Sequence, residues 1–384
     1  MTDKAQSLVP GGLHLPAAIE RRTQITNRLL GELTSRDTEA FFQRHPEFFI
    51  KVVSLYYPLD ESQIARYSDF LDWWGLSWNE KLPWSEAFIG RYIDRWEWWQ
   101  LSQNTVLPWS KSLIQRFINR WYWGFWTHPG LSHNTMLPWG NSLIDCYINY
   151  WDWHQLSQNE GLPWNLAFID RYIDQWDWGL LSNNPKLPWN TNFIDQYADR
   201  WSWWLLSRNI GIPWSEALID RYAERWDWTE LSANNKLPWS GTFINRYADR
   251  WDWKGWSRNS GLPWSDAFID YYADQWDWAD LSRNDGLPWS EHLIEEFLEY
   301  WDWDRLSTNK ALSWNQEFIN KFKVHWNWKN FSKNKKLPWS HQLYDRYEDH
   351  WDIEAVAFHY DGNVRSLTLE QVDRLMKACS LKTV

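Results

Sequence analysis

Counting from each opening proline, apolar residues stand at the sixth, seventh, tenth, eleventh and fourteenth positions, as in Phe168, Ile169, Tyr172, Ile173 and Trp176. That spacing places the side chains on one broad face of a helix. The eighth, ninth, twelfth and thirteenth positions are mostly Asp, Glu and Arg, as in Asp220, Arg221, Glu224 and Arg225, and form its wet face. The third position holds Asp60, Ser85, Ser110, Gly140, Asn165, Asn190, Ser215, Ser240, Ser265, Ser290, Asn315 and Ser340. All are helix-starting types, and all but Gly offer a side-chain oxygen to the first free amides. A long helix is therefore expected from the fourth position onward. The fifteenth position is again mostly a capping type, Asp152, Asp177, Ser202 and Asp227 among them, and predicts a short second helix through Trp-x-x-Leu-Ser. An Asn ends that helix at all eleven full junctions, Asn79 to Asn334. There a left-handed backbone and a side-chain bond to nearby backbone are expected. The Leu before each Pro is pushed extended.

This unit returns from Pro58 through Pro83, Pro108, Pro138, Pro163, Pro188, Pro213, Pro238, Pro263, Pro288, Ser313 and Pro338, every 25 residues except for 30 between Pro108 and Pro138. A fixed period of that size marks a stacked array in which each unit contacts its neighbours. The expected fold class is all-α: a solenoid or superhelix of about twelve helix-turn-short-helix repeats with helical caps. Helices packed ~8–10 Å apart would give a rod or superhelix of roughly 100 Å. Residues 1–57 are expected to form a loose tail followed by a helical cap, 58–352 the array, and 353–384 a second cap whose helix starts at Thr368-Leu369-Glu370-Gln371. The five extra residues of the third unit fall at Gly124 to Gly130 and are expected to bulge outward.

Composition sharpens this picture through tryptophan. Of 39 Trp, 33 occupy three fixed positions of the unit, the second, fourteenth and sixteenth, which points to packing sockets. A net charge of −11 speaks against nucleic acid as a general partner. The two cysteines, Cys146 and Cys379, are far apart and fit a reducing, cytoplasmic setting. No signal peptide and no membrane span is expected, since no long apolar run occurs.

The motifs of catalysis are not found: no phosphate-binding glycine loop, nucleophile elbow or metal-ligand spacing, so neither an enzyme nor a cofactor is indicated. Carboxylate pairs such as Asp170 and Asp174 recur from unit to unit, as solvated helix faces do. Better candidates are Trp residues outside the three fixed positions. Trp74, Trp99 and Trp204 share the seventeenth position, which elsewhere holds Lys254 or Asp304. Together with Trp126 and His128 of the insertion and with Trp256, they make up the candidate binding surface. Charge is also laid out in blocks: 266–304 carries twelve acids against Arg283, and 305–336 eight Lys or Arg against Glu317. Opposite blocks suit a basic partner, end-to-end association, or neutralisation between adjoining units.

The unit Trp-Asp-Trp-x-x-Leu-Ser-x-Asn-x-x-Leu-Pro-Trp, complete at 226–239 and 276–289, resembles the tandem repeats of poorly characterised bacterial proteins. It is also similar to repeats of large DNA viruses in which Asn-Pro-Asn-Ile-Thr-Trp follows Trp-Asp-Trp-x-x-Leu-Ser, with Thr in place of Pro. The resemblance implies a helical repeat array and brings no activity with it. Positions 4, 5, 17, 18, 21, 23 and 24 vary freely between units, as on a recognition surface. The expected function is a non-enzymatic scaffold that binds a protein or self-associates. A carbohydrate or small-ligand binder using surface Trp, and a component of a multi-protein system such as defence or immunity, are the alternatives.

Overall fold

The computed structural model describes residues 34–125 and 128–382. Among these the chain is helical, with one isolated antiparallel bridge between Phe125 and His128 and no strand. The expected tail and first helix, 1–33, and Trp126 lie outside the described residues.

Each unit opens as the capping residues predict. Ser85 accepts from Phe88 N–H, Asn165 from Phe168 N–H and Ser215 from Leu218 N–H, and six-residue helices such as Leu166–Arg171 and Glu216–Arg221 follow. The expected long helix is shorter than its apolar pattern suggests. It ends at the tenth position, where Tyr172 has φ −119° and ψ 28°, and turns carry the chain to the fourteenth. The reason is the indole at the fourteenth position. Trp176 Nε1 donates to Ile169 O at 3.0 Å, Trp201 to Ile194 O at 3.0 Å and Trp226 to Ile219 O at 3.2 Å. A continuing helix would assign that carbonyl to the eleventh residue's amide; here a side chain closes the helix instead.

The other two indoles work alike. Trp178 Nε1 donates to Ile173 O at 3.1 Å, and Trp189 Nε1 to Asn184 O at 2.9 Å. The rings also meet across units: Trp153 packs edge-on against Trp176 at 4.9 Å, with Trp164 tilted on the same ring at 5.0 Å. Fourteenth-position rings are buried (Trp176 is 5% exposed), while those at the second and sixteenth positions are mostly half-buried.

Short helices such as Trp203–Arg208 and Trp228–Ala233 follow their caps, Ser202 and Asp227. The Asn that ends each one is not left-handed as expected. Asn209 has φ −67° and ψ 121°, an extended backbone that turns the carboxamide toward the preceding unit. Its Nδ2 donates to Ser182 O at 2.8 Å and Asn184 O at 3.2 Å, while its Oδ1 accepts from Gly211 N–H at 2.7 Å. The Ser two residues earlier is shared too: Ser207 Oγ donates to Trp203 O at 2.7 Å and accepts from Asp227 N–H of the next unit at 3.0 Å. Equivalent Asn bonds run from Asn79 to Asn334 and equivalent Ser acceptances from Asp72 to Asp352.

The expectation of a rod with two separately capped ends is overturned, because the ends meet. Arg44, ending the helical stretch 34–44, donates to Asp345 of the twelfth unit at 2.9 Å, as Arg221 does to Asp195 within the array. The next helix, Pro46–Tyr56, then stands in for a short helix beside the first unit. Its Ser54 accepts from Asp72 N–H at 3.0 Å, and Asn79 Nδ2 donates to Ser54 O at 2.9 Å. On the twelfth unit, Ala357 O receives Tyr56 Oη–H at 2.7 Å instead of an Asn amide. The C-terminal helix, Leu369–Lys382, adds Asp373, which receives Arg66 at 3.0 Å and Tyr67 at 3.1 Å as an eighth-position acid would. Ser35 and Glu39 hold that helix through Gln371 and Arg374. The two termini thus compose a further step that joins the twelfth unit to the first. Neither cap is a lid over a bare end; each supplies part of one missing neighbour.

Asn209→Ala strips donors from two buried carbonyls and should destabilise by about 1–3 kcal/mol. Hydrogen exchange should accelerate first in the units on both sides of Asn209, as in an array coupled through nearest neighbours, whereas Lys236→Ala at an exposed site should leave the pattern unchanged. For the closure, Tyr56→Phe should raise exchange in both 46–56 and 353–357 and leave the units between 188 and 262 as they were.

Candidate binding surface

Each short helix buries its Leu and Ser, for example Leu206 and Ser207, and shows solvent the seventeenth and twenty-first positions, Trp204 and Arg208. The twenty-third position in the following turn is exposed or half-buried. The variable positions 17, 21, 23 and 24 therefore share the short-helix side of the array. On this side neighbouring backbones come closest. A Cβ on Gly255 would lie 2.4 Å from Thr229 O of the preceding unit. On the long-helix side, Arg side chains span the gap instead, Arg246 reaching Glu216 at 2.9 Å and Asp220 at 2.6 Å. In an array whose ends meet, the tightly spaced side is the concave one.

The candidate residues fare differently. Trp204 is 47% exposed, with the Arg208 guanidinium 5.4 Å above its ring. Trp99 and His128 are brought together, ring against ring at 6.1 Å, and Trp99 Nε1 donates to Pro129 O at 3.1 Å, so this indole carries the insertion. The insertion is pinned from the other side by Gln155 Nε2, which donates to His128 O at 2.6 Å, and Gly124 meets its turn with φ +116°. Trp74 is half-buried against Phe358 at 4.8 Å, at the seam where the ends join. Trp256 does not belong to the surface. It is 8% exposed and fills the nineteenth position, which in most units is a buried Leu. The absence of Leu at that position was the sequence signal for this.

A charged network on the same side went unseen in the sequence. Glu230 and Asp280 occupy the eighteenth position and are buried. Glu230 faces Arg208 at 3.3 Å and Arg258 at 3.9 Å; Asp280 faces Arg258 at 3.8 Å, Arg305 at 2.9 Å and Arg283 at 2.8 Å. The groove at its start, ≈ 260 Å³, is lined by Arg208, Ile210, Glu230, Ala233, Asn234, Asn235 and Arg258. Arginines spaced over several units and two lone acids gave no linear motif, since the stacking alone brings them into line.

Along the same side lie Lys254, within the span of the network, and beyond it Lys310, Lys329, Lys333, Lys335 and Lys336, all exposed and without an ion-pair partner. The long-helix side has the opposite character. In its regular part most acids have an Arg from the next unit: Asp195 receives Arg221 at 2.6 Å and Tyr222 at 2.5 Å, and Glu224 receives Arg250 at 2.7 Å, while Asp170, which faces Gln196, receives Tyr197 at 2.6 Å. The thirteenth-position Arg also lies over the preceding unit's indole, Arg225 on Trp203 at 5.2 Å. That register lapses where Gln275, Glu296, Tyr300 and His325 stand in place of Arg, leaving Asp249, Asp270, Asp274 and Glu299 without an ion pair. Neutralisation between adjoining units holds locally, with Lys321 bridging Glu291 at 3.1 Å and Glu295 at 2.7 Å. Among the described residues, unpaired acids gather on the long helices of the eighth to tenth units, and unpaired lysines on the short-helix side of the tenth and eleventh.

Among the described residues, no group of three or more His, Cys, Asp or Glu is placed to hold a metal ion, and no helix is long and apolar enough to cross a membrane. No protein-family model matches the chain, no curated protein matches its sequence, and no solved structure matches it.

The long-helix pairs make stability depend on pH at both ends. The Tyr222 hydroxyl, with Arg221 beside it, holds the Asp195 carboxyl below the usual carboxylate range against the effect of burial. Burial, then the bond to Asp220, pushes Tyr247 up to about 12. A lowered carboxyl stabilises above its unfolded pKa of about 4 and loses that contribution as pH falls through the folded value. A raised phenol stabilises below about 10, and that contribution is lost as pH rises toward 12. Thermal melts should show a plateau between these limits, and Tyr247→Phe should flatten the alkaline fall while leaving the acid one.

Proposed function

We infer that this protein is a non-enzymatic repeat scaffold whose short-helix side binds a protein partner. What carries the reading is the partition of the unit. Positions with fixed identity are committed to the Asn, Ser and Trp bonds and to the core, while four of the seven freely varying positions, 17, 21, 23 and 24, stand together on the short-helix side. A surface that must be rigid in backbone yet varied in side chain is what recognition of an extended partner asks of an array. Solenoid-like curvature would set the reach of that surface.

The half-open Trp204 ring supports a second reading, a stacked sugar or small ligand. A role inside a larger multi-protein system is compatible with the first.

Affinity capture followed by quantitative mass spectrometry tests the main reading. The triple variant Trp204→Ala/Arg208→Ala/Ile210→Ala should lose the captured partner, while Glu216→Ala/Asp220→Ala/Glu224→Ala on the long-helix side should keep it. Equal capture by both, or lone monomers under every condition, would count against it. Glycan binding abolished by Trp204→Ala would move the assignment to the second reading.

A further inference from the structure

We propose that the lysine sector of the short-helix side, formed by the tenth and eleventh units, is the docking site of an extended, Asp- and Glu-rich protein segment. This rests on the protein-binding reading above and names the chemistry of the partner.

The sector is built by stacking. Lys310 and Lys335 hold the same turn position in consecutive units, so they are one helix-packing distance apart, about 8–10 Å. Lys329 and Lys333 are four residues apart in the short helix and its continuation, on one face, and Lys336 follows in the turn. All five are exposed and none has an ion pair. Lys335 also acts on His359, where burial first and then this lysine hold the imidazole below its ordinary value. Asp304, the one acid among them on the short helix, is engaged by Asn327 Nδ2 at 2.7 Å. The cost of keeping five like charges side by side is relieved when a partner brings carboxylates between them.

The shape and chemistry of the sector favour a protein segment over a nucleic acid. Base stacking requires an aromatic face open to solvent. Here Trp314 and Trp339 donate to Asn309 O and Asn334 O, and Trp328 is covered by Tyr347 at 4.8 Å and His350 at 4.7 Å. The footprint is also confined to two units. A concave side edged by one turn per unit receives an extended chain better than a folded domain.

The test uses the full chain and a fluorescein-labelled peptide of about twelve residues, alternating Glu and Asp with Gly, read by anisotropy at ~0.05 M and ~0.2 M NaCl. A single-stranded oligonucleotide of matched charge is run in parallel. The peptide should bind, weaken several-fold at the higher salt, and lose about tenfold or more in affinity with Lys329→Glu/Lys333→Glu/Lys335→Glu. It should bind normally to Lys111→Glu/Arg116→Glu/Lys323→Glu, which makes the same charge change on the long-helix side. No binding at low salt, equal loss in both variants, or tighter binding of the oligonucleotide overturns the proposal. If the peptide fails while the Trp204 triple variant still loses its captured partner, this inference falls and the protein-binding function stands.

Discussion

At every boundary between units a buried carboxamide has to find partners, and the array is the arrangement that supplies them. Asn234 shows the pattern: its donor goes to Ser207 O and Asn209 O of the unit before, its acceptor to Lys236 N–H of its own. No isolated unit could satisfy that side chain, and a buried polar group left unpaired is costly. The carboxamide therefore ties the folding of each unit to that of its predecessor. The Ser hydroxyl ties it to its successor.

Tryptophan completes the arrangement through its N–H as much as through its size. A Phe or Leu could fill the volume, but an indole packs and also donates. The three fixed indoles spend their donors on carbonyls freed where a helix ends or a turn begins, as at Ile169, Ile173 and Asn159. This lets the unit use helices of only six residues, such as Leu166–Arg171, that would not persist alone. Short helices allow a short period, and a short period gives closely spaced neighbours.

The closure follows the same bonding rules with different residues. Ser54 repeats the role of the array's serines, Asp373 that of its eighth-position acids, and Tyr56 that of an asparagine donor. An array with two free ends would leave one set of carbonyls and one set of amides open. Joining the ends satisfies both sets and also fixes which side is concave. The separation of charge matters for that reason: the lysines of the short-helix side face inward, whereas the unpaired acids of the long helices face outward.

The unit is legible from its residues: its period, its capping residues, its helix starts and its core positions, because each is set by bonds within a few residues of the chain. It overstated the long helix, since an apolar pattern running to Trp176 cannot reveal that the indole of Trp176 takes the carbonyl of Ile169. It placed Trp256 among the surface residues because position counting flags a departure without showing which socket the ring enters. How units meet is settled by the folded chain alone. The role of each Asn, the alignment of Arg208, Glu230, Arg258, Asp280 and Arg305, and the meeting of residues 34–56 with 345–382 all join atoms in different units. Such contacts depend on the angle accumulated from one unit to the next, a quantity that no local pattern of residues records.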